Sequence, residues 1–242
     1  MAVGVTTPRA RLTLDGEAVG TASAAGAFVI GFDRDAAPVA NLVVETDAGT
    51  TAYGMRIADG GFKVQRIDGL PRDQVTPDDP ELLARIARER ALKTVGYASR
   101  ADRDDFRAGF RMPLASWRQT SPFGVQRILN GVPMTPHYGA DLAAPTGTPL
   151  LAPAGGVVAL AAPDMHFEGG LTMIDHGQGL ISLYLHQSRI DVAAGQEVVA
   201  GQVIGAVGAK GRATGPHLCW RLRWRDRNLD PMLLVGLGTP AG

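Results

Sequence analysis

Short runs of alternating apolar and polar residues, separated by turn-forming pairs such as Asp15-Gly16 and Gly60-Gly61, fill the first part of the chain. This alternation predicts half-buried β-strands joined by tight turns. The runs lie at residues 11–14, 27–32, 41–45, 53–57 and 62–67. Residues 1–75 are therefore expected to form a small N-terminal β-sandwich-like accessory domain. This segment contains no histidine, and we expect it to serve as a packing or positioning module.

The pattern changes to a helical period after a break at residues 76–80. Asp79 followed by Pro80 is a good N-cap and first-turn pair for a helix over residues 81–95. The expected apolar stripe of this helix is Leu82, Leu83, Ile86 and Ala87, and its charged residues, Glu89 among them, are expected to be solvated. Residues 76–109 are interpreted as a helical linker. The irregular connection 99–118 could lie across the domain that follows.

Strand-and-turn alternation returns from about residue 110 and continues to residue 242. Because alternate residues of a strand face opposite sides, the run 217–224 is expected to bury one set and to turn His217 and Cys219 to the other face. The buried set is Leu218, Trp220, Leu222 and Trp224. In the run 180–186 the same alternation turns His186 out of the core. We expect a mainly β fold with an antiparallel sheet in this C-terminal domain.

Composition narrows the classes of function. The chain has 242 residues, 45% of them hydrophobic, and 24 basic residues balance 24 acidic ones. No basic field steers it toward nucleic acid, and we expect no nucleic-acid partner. No apolar run approaches the roughly 20 residues of a membrane span, and the first ten residues lack the pattern of a signal peptide, so an exported form is expected to have lost its signal.

All five histidines and the single cysteine fall between residues 137 and 219. His137 and Asp141 are four apart, an even offset that keeps both side chains on one face of an extended segment. Imidazole, carboxylate and thiolate are all good zinc ligands, and three of them with one open position is the arrangement of a catalytic zinc site. Alone, the His137 and Asp141 pair also fits a surface histidine near a turn aspartate. Cys219 alone also fits a small buried hydrophobic residue. His166 and His176 are interpreted as ordinary turn or surface histidines.

Taken in order, these motifs resemble those of the lysostaphin/LytM-type zinc metallopeptidases, the peptidoglycan DD-metalloendopeptidases. The resemblance covers about residues 113–231. It runs through Ser121-Pro122-Phe123-Gly124, His137-Tyr138-Gly139-Ala140-Asp141, Asp175-His176-Gly177, Leu183-Tyr184-Leu185-His186, Gly205-Ala206-Val207-Gly208 and Thr214-Gly215-Pro216-His217-Leu218.

The resemblance implies that residues 110–242 form a LytM-type peptidase domain. It makes His137 and Asp141 zinc ligands, and it makes His186 and His217 the catalytic imidazoles that assist the attacking water. The implied activity is zinc-dependent hydrolysis of peptide cross-links in bacterial peptidoglycan, in stem peptides or cross-bridges, and the implied location is periplasmic or secreted. The sequence does not indicate which bond is cut or which of the two imidazoles takes the proton.

One position departs from the family pattern. The remaining zinc ligand of the family is a histidine two residues after His217, and here that residue is Cys219. Thiolate is an excellent zinc ligand, so we expect Cys219 to keep the metal bound. The alternative is a catalytically impaired LytM-like module that binds or regulates another cell-wall hydrolase or a division partner. A general structural β protein with coincidental histidines is the third reading.

Overall fold

The computed structural model describes residues 1–236, and it confirms a mainly β fold with antiparallel sheets. The strands are β1 (Ala2–Val5), β2 (Arg11–Leu14), β3 (Glu17–Thr21), β4 (Ala27–Ile30), β5 (Val39–Thr46), β6 (Gly49–Arg56), β7 (Val64–Ile67), β8 (Arg118–Ser121), β9 (Gln126–Leu129), β10 (Val132–Pro133), β11 (Ala140–Ala143), β12 (Pro149–Leu151), β13 (Gly156–Met165), β14 (Gly169–Asp175), β15 (Leu180–Gln187), β16 (Arg189–Ile190), β17 (Glu197–Val198), β18 (Val203–Ala206), β19 (His217–Trp224) and β20 (Arg227–Leu229). The helices are α1 (Arg72–Val75), α2 (Pro80–Tyr97) and two 3-10 turns, Asp105–Ala108 and Pro231–Leu234.

The N-terminal strands form a four-stranded antiparallel sheet in the order β3-β2-β5-β6, beside a two-stranded antiparallel pair of β1 and β4. Alternation along β2 buries Leu12 and Leu14, and alternation along β5 buries Leu42 and Val44. Each predicted run overlaps a strand, but β3, which the sequence pattern did not flag, completes the sheet.

The second half is built on an eight-stranded sheet in which β17-β13-β14-β15-β19-β11-β8 are neighbours and β20 pairs with β19. The alternation predicted for β19 is confirmed, because its apolar set lies in the main core while Cys219 faces the opposite side. In β15 both faces are buried, so His186, which was expected to point out of the core, is itself buried. Further packing covers the face that the sequence pattern assigned to the outside.

The strand β7 joins the N-terminal part of the chain to the C-terminal part. It runs parallel to β9, with Val64 opposite Gln126 and Ile67 opposite Leu129, in a three-stranded sheet completed by β10. The main hydrophobic core includes residues from all three predicted segments, from Ala10 through Phe106 to Leu234. The division into domains at 1–75, 76–109 and 110–242 stays a prediction, and residues 237–242 lie outside the described residues.

Helix α2 begins at Pro80, the last residue of the predicted break, and the Asp79 side chain before it accepts a hydrogen bond from the Leu82 N–H at 2.8 Å. Its apolar stripe is only partly as expected, since Leu83 is 46% exposed while Ile86 is buried. The prediction that Glu89 is solvated is wrong. Glu89 is buried because its carboxylate accepts hydrogen bonds from Arg85 and from the His166 N–H, which offset the cost of desolvation. Within residues 1–236, no helix is both long and apolar enough to cross a membrane.

The connection 99–118 packs into the protein through Phe106, Phe110 and Leu114, all of which are buried in the main core. These large apolar side chains hold the segment down against the sheet. The segment contains one 3-10 turn, and its buried side chains anchor the rest of its irregular backbone.

His176 was interpreted as an ordinary turn or surface histidine, and the structure instead buries it completely. Its Nδ1–H donates to the Gly155 carbonyl at 2.6 Å, and its Nε2 accepts from the Ser182 hydroxyl at 2.6 Å. The Ser182 oxygen in turn accepts from the Tyr184 hydroxyl at 2.7 Å. This chain of hydrogen bonds fixes the neutral imidazole, and burial lowers the pKa of His176 to about 4.

The buried His176 predicts a loss of stability in mild acid. Because its folded-state pKa lies below the ordinary value of 6.5, the unfolded chain binds the proton first, so stability falls as pH drops from 6.5 toward 4. We expect this residue to contribute a slope of roughly 1.4 kcal/mol per pH unit in that window. Urea unfolding at several pH values should show that slope reduced in His176→Asn. His166→Asn, outside the network, should keep the wild-type slope; an unchanged slope in His176→Asn would contradict the assignment.

Candidate metal centre and catalytic pocket

The register between β11 and β19 brings three metal-binding side chains together. Asp141 lies directly opposite Cys219 in that register, and His137 lies four residues before Asp141. Their ligand atoms all lie within 4.8 Å of one another, and all three side chains are buried. The His137 Nε2 atom is 3.0 Å from Asp141 Oδ1 and 3.3 Å from Cys219 Sγ.

The hydrogen-bond partners of His137 direct its lone pair at this cluster. The Ser121 hydroxyl donates to Gln65 Oε1 at 3.2 Å, so its oxygen is left to accept from His137 Nδ1, 3.5 Å away. The proton of the imidazole is thereby assigned to Nδ1. Nε2 then faces Asp141 and Cys219 as an electron-pair donor, in the way that outer-shell partners orient metal-binding histidines.

His186 and His217 lie beside the cluster with their rings 4.7 Å apart. Each uses its Nδ1–H to bond a backbone carbonyl at 2.8 Å, that of Lys210 for His186 and that of Gly215 for His217. Both Nε2 atoms are therefore free, and that of His217 is 3.7 Å from Asp141 Oδ1. Burial lowers the pKa of both, to about 4 for His186, so both imidazoles are neutral near pH 7.

His186 adopts the left-handed backbone conformation, with φ 65°, which non-glycine residues avoid. Its N–H bonds to the Glu168 carbonyl at 2.7 Å. The strict alternation of β15 ends at this residue, and this is why the strand pattern alone misplaced its side chain. Strained conformations of this kind persist where the surrounding structure holds them, often at functional sites.

The three clustered side chains fit a zinc ion. Asp141 Oδ1 is buried without a hydrogen-bond donor among the described residues, and it faces an imidazole lone pair and a sulfur atom. Burial alone would lower the pKa of His137, but Cys219 and Asp141 outweigh burial and raise it. The cluster therefore attracts positive charge, and its nitrogen, oxygen and sulfur donors are those that zinc prefers.

Two arginines that sequence reasoning did not select contact the cluster from outside. Arg127 on β9 forms an ion pair with Asp141 Oδ2. Arg221 donates from Nε to Cys219 Sγ at 3.4 Å. Arg221 lies two residues beyond Cys219, so the alternation of β19 could have flagged it. Arg127 and Gln65 carry no local signal, because the pairing of β7 with β9 joins residues that are far apart in the sequence.

Two depressions meet at Gln65 and Ser121. A cavity of about 290 Å³ lies beside Asp141 and His217. A wider groove of about 1630 Å³ continues on the other side, between the accessory strands and the peptidase part. The wide groove thus leads to the smaller cavity, which Asp141 lines. His166 is placed elsewhere, with its Nε2 3.0 Å from the Asp73 carbonyl, as the prediction of an ordinary histidine implies.

Known proteins are similar to the part of the chain that carries this site. Residues 135–231 match the family model of peptidase family M23. The chain is 40% identical over 131 residues to peptidoglycan DD-endopeptidase ShyA of Vibrio cholerae, covering 52% of this chain and 30% of ShyA. It is 40% identical over 137 residues to DD-carboxypeptidase/endopeptidase Mpg of Neisseria meningitidis, covering 55% of this chain and 31% of Mpg. The aligned region thus spans about a third of each of these relatives.

The likeness to one solved structure extends over nearly the whole chain. A peptidase M23 from Pseudomonas aeruginosa superposes with a TM-score of 0.74 at 32% identity, covering 97% of this chain and 92% of that one. The match includes the accessory strands as well as the strands that carry the site. The chain therefore belongs to peptidase family M23, with a cysteine where the family pattern has its last zinc-binding histidine.

Proposed function

We propose that the chain is a zinc-dependent endopeptidase that hydrolyses peptide cross-links of bacterial peptidoglycan. The observation that carries the proposal is the convergence of His137, Asp141 and Cys219 within 4.8 Å, buried and facing one another with lone pairs. These three residues would hold the zinc ion. Three protein ligands leave one coordination position open, as catalytic zinc requires.

The substrate class is proposed from the relatives. ShyA is named a peptidoglycan DD-endopeptidase and Mpg a DD-carboxypeptidase/endopeptidase, and each is 40% identical to about half of this chain. Peptidoglycan lies outside the cytoplasmic membrane, so we place the protein in the periplasm or outside the cell.

Bound zinc would polarise the scissile carbonyl and acidify the attacking water. His217, which lines the cavity, has a free Nε2 that accepts the proton of that water. The imidazolium so formed is stabilised by Asp141 Oδ1 at 3.7 Å and returns its proton to the leaving amine. His186, whose ring lies 4.7 Å from that of His217, presents a second Nε2 lone pair, which accepts a hydrogen bond from the attacking water and orients it.

Arg221 provides a reason why Cys219 can replace the histidine of the family pattern. A thiolate carries a negative charge that a neutral histidine lacks, and the guanidinium that donates to Cys219 Sγ offsets it. Arg221 is held in turn near Glu168, whose carboxylate is ion-paired with Lys93 on α2. Gly139 leaves room for this contact, since a Cβ there would come within 2.8 Å of Arg221 Cγ and 3.0 Å of Cys219 Sγ.

A second candidate function is a module that binds or regulates another cell-wall hydrolase. The ion pair of Arg127 with Asp141 favours it, because a side chain of the protein itself already partners one carboxylate oxygen of a candidate ligand. The chain also aligns at 32% identity over 103 residues with cell division protein DipM of Caulobacter vibrioides. Metal content and cleavage of muropeptides separate the two candidates.

Elemental analysis at neutral pH should find about one zinc per chain, and Cys219→Ser should lower zinc affinity by at least tenfold because a hydroxyl is a poor zinc ligand. Cys219→His restores the family pattern and should keep the metal. Zinc bound equally well by Cys219→Ser would remove Cys219 from the site. A wild-type chain without zinc and without muropeptide cleavage would support the regulatory module.

Removing either catalytic imidazole should slow proton transfer without loss of the metal. His217→Ala is expected to lower kcat on cross-linked muropeptides by roughly 10²- to 10⁴-fold, the usual contribution of general acid–base catalysis, with zinc content unchanged. His186→Ala should lower kcat in the same way. His166→Ala is the matched control and should retain wild-type kcat. Zinc loss in His217→Ala would show that this residue is a ligand instead.

A double-mutant cycle tests the role of Arg221. Arg221→Gln should weaken zinc binding by roughly tenfold in the wild-type background, where it removes the partner of the sulfur, and by less than about twofold in the Cys219→His background. Chelator competition gives the affinities, and the sulfur-to-metal band of the cobalt-substituted protein reports the ligand directly. An equal loss in both backgrounds would reduce Arg221 to a general packing role.

A further inference from the structure

Helix α2 is fastened by a row of charged side chains to the turn that links β13 to β14, residues 164–168. The row consists of Arg85, Glu89 and Lys93. Spaced four apart, the three lie one above the other on one side of the helix. The first pairs with Asp164, the second accepts a hydrogen bond from the His166 N–H at 2.9 Å, and the third forms an ion pair with Glu168. The helix therefore holds this turn at three points.

The turn in its own right holds His186. The Glu168 carbonyl accepts the His186 N–H at 2.7 Å, at the residue whose backbone has φ 65°. The chain after the turn also packs closely on Lys210, because a Cβ on Gly169 would come within 2.5 Å of the Lys210 carbonyl. That same carbonyl binds the imidazole of His186. Both the backbone and the ring of His186 are thus supported by one short turn.

The Glu168 carboxylate is buried on the side of Arg221. The residue is only 8% exposed, and within residues 1–236 no group donates a hydrogen bond to its Oε2 atom. Burial alone would raise the pKa of this carboxyl, but Lys93 and then Arg221 outweigh burial and lower it. Burial would likewise lower the pKa of Arg221, but neighbouring acidic groups, Cys219 first and Glu168 among them, raise it. With Cys219 as thiolate, charges of alternating sign run from helix α2 to the sulfur.

We propose that Glu168 is a positioning residue of the metal centre, whose carboxylate holds the Arg221 guanidinium against the Cys219 sulfur. The same residue sets the backbone of His186 through its carbonyl. Lys93 offsets the cost of burying the carboxylate, so helix α2 supports the centre without touching it. The hold on Arg221 is a property of the fold, whereas its consequence for zinc rests on the proposed function.

Packing alone suffices to dock helix α2 on the sheet. A Cβ on Gly96 would come within 2.8 Å of Met173 Sδ, so the helix lies close against β14. Tyr97 packs against the smaller apolar cluster, which includes Cys219. Replacing a buried ion pair by apolar side chains of similar volume is often neutral or stabilising. The ion pair of Glu168 therefore serves to place a charge and is not needed to hold the helix.

The side-chain Nε–H of Arg221 reports the contact without any metal. In 15N spectra of the metal-free full chain, its exchange with water should be slow because it donates to Cys219 Sγ. Glu168→Gln keeps the shape of the side chain and the main-chain carbonyl, and should speed this exchange by roughly tenfold, the worth of one hydrogen bond. Lys93→Met should act in the same direction, and Lys93→Arg, which keeps the charge, should preserve slow exchange.

Zinc affinity, measured by chelator competition, extends the test to the proposed metal site. Glu168→Gln should weaken zinc binding by roughly tenfold in the wild-type background and by less than about twofold beside Arg221→Gln, because it acts through that guanidinium. In the cobalt-substituted protein, Glu168→Gln should shift the sulfur-to-metal band in the same direction as Arg221→Gln. A residue that merely packs would not move this band.

Arg85→Gln is the matched control, since it removes the exposed ion pair between the same helix and the same turn. The Arg85 side chain is 40% exposed, so we expect zinc affinity and the Arg221 exchange rate to stay within about twofold of wild type. Equal effects of Arg85→Gln and Glu168→Gln, or an unchanged Arg221 exchange rate in both Glu168→Gln and Lys93→Met, would overturn the positioning role.

The two readouts fail separately. A wild-type chain that binds no zinc, but whose Arg221 exchange depends on Glu168, would uphold the positioning role and refute the zinc enzyme. Zinc binding and muropeptide cleavage with Arg221 exchange indifferent to Glu168 would do the reverse.

Discussion

The register between β11 and β19 is the constraint on which the site depends. It sets Asp141 opposite Cys219 and Ala143 opposite His217, so that residues nearly eighty positions apart in sequence share one patch of sheet. A shift of one residue would turn every side chain of β19 to the opposite face. Leu218, Trp220, Leu222 and Trp224 prevent such a shift, because all four are buried in the main core. The packing of apolar side chains thus fixes the position of the metal-binding ones on the other face.

Backbone carbonyls then set the chemistry of the imidazoles. Lys210 and Gly215 each accept one Nδ1–H, and the Ser121 oxygen plays the same part for His137. All three Nε2 atoms are left facing the centre as electron-pair donors. Most of these partners are main-chain groups. The backbone conformation, and not further ionisable residues, therefore fixes which imidazole nitrogen carries the proton. The positive charge near the ligands comes instead from Arg127 and Arg221.

The sequence predicted much of the local structure and selected the candidate residues of the site. Alternation along β2, β5 and β19 predicted which side chains are buried, and the ordered motifs brought forward His137, Asp141, His186, His217 and Cys219 before any coordinates. Local patterns failed where distant segments meet. Glu89 and His176 were expected at the surface and are buried with partners from other elements. Gln65 had no signal, because its importance arises only from the pairing of β7 with β9.

The contact of Gln65 with Ser121 constrains how the two halves of the chain can be exchanged in evolution. A segment that precedes the peptidase motifs supplies both an edge strand to the sheet of β9 and the acceptor that orients a candidate ligand. Modules that touch only through a flexible tether can be shuffled freely among genes, but this one cannot be exchanged without replacing the lost acceptor. A chimera that joins residues 110–236 to a foreign partner would keep Ser121 and His137 but would lose Gln65, the acceptor that orients the Ser121 hydroxyl.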